Sequence, residues 1–161
     1  MRIVALAMLA FLAAGCAMDP PAPASGAAAS PAAIAAPAAR SGLAPDPVLT
    51  GTWVPVIGEL GGREFKFGQD FRLVVKGDRY EVTGAPQGKD IGRLDFVGGD
   101  PKGFDVVGEE GPSKGKRYPV IYRMLADGTL EACYDLDGMA RPAAFVTFEG
   151  TQLFRVIYKR R

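Results

Sequence analysis

The sequence predicts an all-β domain, an antiparallel up-and-down β-barrel of eight to nine strands, carried behind a long N-terminal segment. Three observations lead there. From Val48 onward, short alternations of apolar and polar residues follow one another with period two, the signature of half-buried strands. Turn residues recur at intervals of about 8–12 residues, as in sandwiches and barrels. No stretch of helical period intervenes. Composition changes at the same place: the single Trp, all five Tyr and every Phe except Phe11 lie in residues 48–161. So do the 19 basic and 18 acidic side chains, apart from Arg2, Arg40, Asp19 and Asp46.

The front end reads as an address. Residues 3–12 are apolar behind Arg2. That run is too short for a membrane-spanning helix, which needs about 20 residues, and suits the core of a signal peptide. Ala13-Ala14-Gly15-Cys16 then resembles the lipobox of bacterial lipoprotein signal peptides, although the leucine preferred three places before the cysteine is here Ala13. The resemblance implies a signal peptide over residues 1–15 and lipidation of Cys16. Ala17 after the cysteine implies the outer membrane, facing the periplasm. An ordinary secretory peptide cut near Ala14, or an uncleaved anchor, are the alternatives. Residues 16–47 are a tether rich in Ala and Pro. Its prolines interrupt any helix that alanine would favour, so an extended, disordered spacer is expected.

The domain, residues 48–161, is expected to run as follows. A first strand spans 51–59. In 71–76, Phe71, Leu73 and Val75 share one face and Arg72 and Lys76 the other. Gly77-Asp78 is a two-residue hairpin turn, and 79–83 returns with Tyr80 and Val82 on one face. Strand 90–97 puts Leu94 and Phe96 together and pairs with 104–107 across a glycine-rich turn. Strand 117–125 alternates Tyr118, Val120, Tyr122 and Met124 with Pro119, Ile121, Arg123 and Leu125. Asp127-Gly128 turns it into 130–137, where Leu130, Ala132, Tyr134 and Leu136 share a face. A strand at 143–149 and a last one at 152–160, with Phe154, Val156 and Tyr158 on one side, complete the set. Pro55 and Pro119 must sit at bulges or edges, because neither can donate to a ladder. Consecutive hairpins favour closure, which removes exposed edges. Barrel is therefore preferred to sandwich.

Gly51-Thr52-Trp53 resembles the Gly-x-Trp signature of lipocalins and related small barrels. That resemblance implies that Trp53 closes one barrel end under a basic residue of the last strand, Arg155 or Arg160. The order of Gly111-Pro112-Ser113-Lys114-Gly115-Lys116, Tyr122, Leu130 with Cys133, Arg141-Pro142, Phe145 and a basic terminus is similar to a lipocalin-like bacterial domain family of unknown function, typical of planctomycete proteins. The similarity spans nearly all of residues 49–161. It implies the barrel and supplies no catalytic or ligand-binding residue.

Several chemistries are excluded at once. The chain has no histidine, so no His-based triad, His general base or His-containing zinc site exists. Two cysteines, Cys16 and Cys133, cannot make a disulfide framework or a four-cysteine metal site. A net charge of +1 offers no field for nucleic acid. Cys133 lies in an alternating strand and reads as a buried small residue; a reactive thiol would need nearby Lys or Arg to depress its pKa. Gly111 to Lys116 lacks the ending and the following helix of a phosphate loop and reads as a flexible hairpin end. Asp135-Leu136-Asp137-Gly138 lacks the later ligands of a calcium loop and reads as a turn. Glu109, Glu110, Asp135 and Asp137 form a catalytic carboxylate pair only if strands converge them. No enzyme activity, cofactor or metal is expected. The expected function is a lipid-anchored envelope protein whose barrel takes a small apolar or amphipathic ligand, with Tyr80, Phe96, Tyr122, Tyr134 and Phe154 as candidate cavity lining. The alternative is an envelope interaction module with a filled barrel.

Overall fold

The structure, a computed structural model, describes residues 42–161. The predicted signal peptide, Cys16 and the tether as far as residue 41 lie outside the described residues. A single 3-10 turn, Pro47–Leu49, leads into nine strands: β1 (Gly51–Leu60), β2 (Arg63–Glu64), β3 (Arg72–Lys76), β4 (Arg79–Thr83), β5 (Asp90–Val97), β6 (Lys102–Glu110), β7 (Arg117–Met124), β8 (Leu130–Asp135) and β9 (Leu153–Arg160). Every pairing between these strands is antiparallel. β1 pairs with β3, each later strand with the next, and β9 returns to β1, from Trp53 opposite Arg160 to Leu60 opposite Phe154. Eight strands thus close a barrel, and β2 is a flap folded onto the end of β1.

Local chemistry accounts for most of the joints. Gly77 takes φ +61°, which lets β3 turn into β4 with Lys76 opposite Arg79. The Asp127 carboxylate accepts from the Thr129 N–H and hydroxyl and holds the β7–β8 turn. Pro55 sits at a register skip between Pro55 and Ile57, and Pro119 lies just outside the β7–β8 register, which starts at Val120 opposite Tyr134. Pro55 therefore stands where a ladder is broken, whereas Pro119 ends the β7–β8 ladder but lies within the β6–β7 ladder, opposite Asp105.

The period-two pattern sorts the wall. Trp53, Leu73, Val75, Tyr80, Leu94, Phe96, Phe104, Val106, Val120, Tyr122, Leu130, Ala132, Val156 and Tyr158 form the buried core. The outer face is charged. Arg79, Glu109, Arg93, Asp95, Arg117, Asp105 and Arg141 form an unbroken chain of ion pairs across β4 to β7 and the loop beyond β8. Apolar inside and charged outside is the reverse of a membrane-inserted barrel, whose lipid-facing band is apolar.

Residues 143–149 are not the strand that their alternation predicts. They belong to an irregular segment between β8 and β9. The reason is closure: β8 is already paired with β7 and β9, and β9 with β8 and β1, so neither of the flanking strands offers an edge to another. The segment lies instead against the outer wall. Arg141 donates to the Phe104 and Val120 carbonyls and pairs with Asp105, the Arg123 guanidinium stacks 4.3 Å over the Phe145 ring, and the Thr147 hydroxyl bonds Glu59. Ile121, Glu131 and Cys133 thereby become buried although they face outward. Glu131 is 1% exposed and is held by Arg123 at 2.6 Å and Arg155 at 2.5 Å, so its burial is compensated.

Candidate functional site

The barrel has one stoppered end and one partly open end. At the stoppered end the Arg160 guanidinium lies 4.4 Å from the centroid of the Trp53 ring. It donates to the carbonyls of Thr50 at 2.5 Å and Val48 at 2.7 Å, while the Trp53 indole N–H donates to the Leu49 carbonyl at 2.8 Å. These bonds pin the 3-10 turn across the end and drive Leu49 into the interior, where it is 1% exposed. Asp46, expected at the end of the tether, is bound to the barrel here: it accepts from Lys102 at 2.8 Å and Tyr122 at 2.9 Å. Partial burial opposes its charge, but the bonds from Lys102, the Val48 N–H and Tyr122 together outweigh that and hold its carboxyl below the usual range. Arg155 takes no part in this closure. It points outward, to Glu131 and Glu59.

Above Leu49 a cavity of about 190 Å³ remains inside the barrel. Leu73, Val75, Leu94, Phe104, Val106 and Leu130 wall its deep part. Phe71, Val82, Tyr118, Tyr134, Leu136 and Phe154 surround its other end and are only half-buried, so the mouth is opposite Trp53. Two devices narrow it. Phe65, Phe67, Phe71 and Phe154 form an aromatic group with ring centroids 5.0–5.2 Å apart in edge-to-face pairs. The 111–116 turn folds back across the end rather than projecting as the flexible hairpin its composition suggests. It does so because Gly108 has no side chain: a Cβ there would stand 1.9 Å from the Ser113 carbonyl oxygen. The Gly115 N–H donates to Gly108 and the Gly108 N–H to Lys116.

The polar groups of the cavity are few. The Tyr80 hydroxyl donates to Asp90 Oδ2 at 2.9 Å, and the Ser113 N–H donates to Oδ1 at 2.9 Å. Burial, reinforced by the Asp90 carboxylate, raises the Tyr80 phenol above its ordinary range. The Tyr134 and Tyr158 hydroxyls meet at 3.3 Å. Burial pushes Tyr134 up to about 12 and holds Tyr158 well above 10. These phenols are therefore neutral, and the cavity is an aromatic and aliphatic pocket with one carboxylate at its mouth. Gly92 makes room for Tyr80, since a Cβ there would stand 2.7 Å from its ring and 2.0 Å from the Val107 carbonyl oxygen.

Of the residues singled out for the lining, Tyr80, Tyr134 and Phe154 do border the cavity. Phe96 and Tyr122 do not: they pack in the core toward the stoppered end, where Phe104 lies 5.9 Å from Phe96 and 5.2 Å from Tyr122. Asp90 and Tyr118 border the cavity as well, and each shares strand parity with an apolar face, Asp90 with Leu94 and Phe96, Tyr118 with Val120 and Tyr122. An acid in phase with an apolar face was the available signal. Ser113 had none, since its place depends on the fold of the turn.

The other candidates resolve as follows. Cys133 is 0% exposed beneath Val146, whose carbonyl lies 3.8 Å from its sulfur, and burial pushes the thiol up to about 11. Asp135 accepts from the N–H groups of Asp137, Met139 and Ala140, a turn-forming role. Glu109 lies between Arg79 and Arg93, whose hydrogen bonds hold its carboxyl below the usual range. Among the described residues no group of three or more Cys, Asp or Glu is placed to hold a metal ion. No family model, no curated protein and no solved structure matches the chain.

Proposed function

We propose that this protein is a lipid-anchored, non-enzymatic component of a bacterial envelope, attached at Cys16 to the outer membrane on its periplasmic side, whose barrel binds a small apolar or amphipathic molecule. The observation that carries the binding reading is the apolar interior cavity of about 190 Å³. An engineered apolar cavity of about 150 Å³ stays dry and takes up benzene, so this volume suits one ring or a short chain. It is below the roughly 300–1,000 Å³ of sites for larger ligands, which bounds the ligand from above. The engagement of Glu109 and Asp135 with structural partners supports a non-enzymatic role.

The test is native mass spectrometry of the gently purified chain, followed by thermal shift with small aromatic and short-chain compounds. A retained small molecule, or stabilisation by such a compound that Val82→Phe abolishes by filling the mouth, supports the proposal. No retained mass and no stabilisation by any of them overturns it. The anchor is tested separately: Cys16→Ser must lose the acylated mass and the membrane association.

A second reading, an interaction module, is favoured by one surface. Val56 and Ile57 bulge outward from β1 at 55% and 51% exposure, with Phe65 39% exposed on the β2 flap. Retention of barrel-dependent binding to envelope proteins after Val56→Asp and Ile57→Asp would count against it.

A further inference from the structure

The polar end of the cavity is unusual in its charge balance. Asp90 is 9% exposed, lines the cavity, and has two neutral donors, the Tyr80 hydroxyl and the Ser113 N–H. Among the described residues it has no Lys or Arg partner; of the other buried acids, Asp95, Asp105 and Glu131 are paired with arginine, and Asp135 is held outside the cavity by three main-chain N–H groups. The nearest lysine in sequence, Lys89, is spent on Glu81 at 3.0 Å. A carboxylate offers about four acceptor sites, so roughly two remain open. Orienting Tyr80 and Ser113 needs hydrogen-bond acceptors and no full negative charge. The same cavity is lined by the rings of Tyr80, Tyr118, Tyr134, Tyr158, Phe71 and Phe154, whose faces attract cations. The Tyr118 hydroxyl makes no hydrogen bond with another described residue and belongs to a side chain that lines the same cavity.

We infer that the molecule held in this cavity is a small organic cation, a primary ammonium on a single ring or short alkyl body, with the ammonium at Asp90 and the apolar body directed toward Leu49. The inference rests on the ligand-binding reading of the same cavity and adds the charge of the ligand. An ammonium donates three N–H groups, enough for the open sites of Asp90 and for the Tyr118 oxygen. Its transfer from water is offset by the carboxylate and by the aromatic faces. A neutral molecule of the same shape would leave the acid uncompensated in an apolar site.

The test compares three probes of one shape, benzylammonium, benzyl alcohol and toluene, by calorimetry or ligand-observed NMR on the full chain and on Asp90→Asn. The expected result is that benzylammonium binds on the order of 10- to 100-fold more tightly than benzyl alcohol. Asp90→Asn should erase that preference and keep toluene binding. Toluene and benzyl alcohol binding as well as benzylammonium to the full chain overturns the inference and leaves the cavity reading intact. Binding of none of the three overturns both. Should Asp90→Asn fail to fold, the ranking on the unmodified chain decides by itself.

Discussion

The stopper at Trp53 can be tested quantitatively through Arg160. Its guanidinium lies over the Trp53 ring and donates to two main-chain carbonyls, Thr50 and Val48. At this exposed site the cation–π contact contributes about 0.5–1 kcal/mol. Each hydrogen bond at the solvent edge adds about 1 kcal/mol. Arg160→Ala should therefore destabilise the barrel by about 2–3 kcal/mol, equivalent to a fall in Tm of roughly 10 °C for a domain of this size. Arg160→Lys keeps a charge near the ring but cannot fork to both carbonyls, so it should lose about half as much. Urea unfolding followed by tryptophan fluorescence is the natural assay, because Trp53 is the only tryptophan and sits under the cap. A red-shifted native emission should accompany the loss, as water reaches the indole. If Arg160→Ala unfolds within about 0.5 kcal/mol of the parent with unshifted native emission, the arginine is ornamental and the stopper is Trp53 and Leu49 alone.

Three further outcomes follow from the geometry. Gly92→Ala should cost about 2 kcal/mol or more, read as a lower urea midpoint, because its Cβ must push apart β5 and β6 at the Val107 carbonyl and displace the Tyr80 ring. Glu131→Gln should cost about 2–4 kcal/mol by the same assay, since it leaves Arg123 and Arg155 facing each other without the shared carboxylate; their partial exposure keeps the figure below that of a fully buried pair. Raising the pH should unfold the protein cooperatively. Tyr80, Tyr122, Tyr134 and Tyr158 have folded-state pKa values raised above 10, so their contribution is complete below about pH 10 and is lost as the pH climbs through the higher folded values. Their tyrosinate absorbance should appear together with loss of the native circular dichroism; gradual ionisation in a folded barrel would contradict the burial of these phenols.

What was legible in the sequence follows from how local each feature is. The bounds of β4 and β5 could be read because alternation and turn chemistry act within a few residues, as at Gly77-Asp78. The assignment of 143–149 as a strand failed because strand patterning is local while the availability of a partner edge is settled by closure of β9 on β1. The tiny β2 escaped notice because Arg63 and Glu64 carry no alternation. The choice between Arg155 and Arg160 came only with the structure: Arg160 lies over Trp53, and Arg155 stands on the outer wall beside Glu131. For the cavity, inward parity was readable, but position along the barrel axis was not, and that position decides why Phe96 and Tyr122 fill the base while Tyr80 and Phe154 border open space.

The chain enters the domain through Asp46, bound to Lys102 and Tyr122, and ends beside it, where the Arg161 N–H donates to Thr52. Both termini of the barrel therefore leave from one pole. Tension applied along the N-terminal segment would be borne by the Lys102 and Arg160 contacts at that pole, in line with the start of β1. The opposite rim, where Asp90 and Tyr118 stand, is not loaded, and solutes can approach it however the other pole is moored.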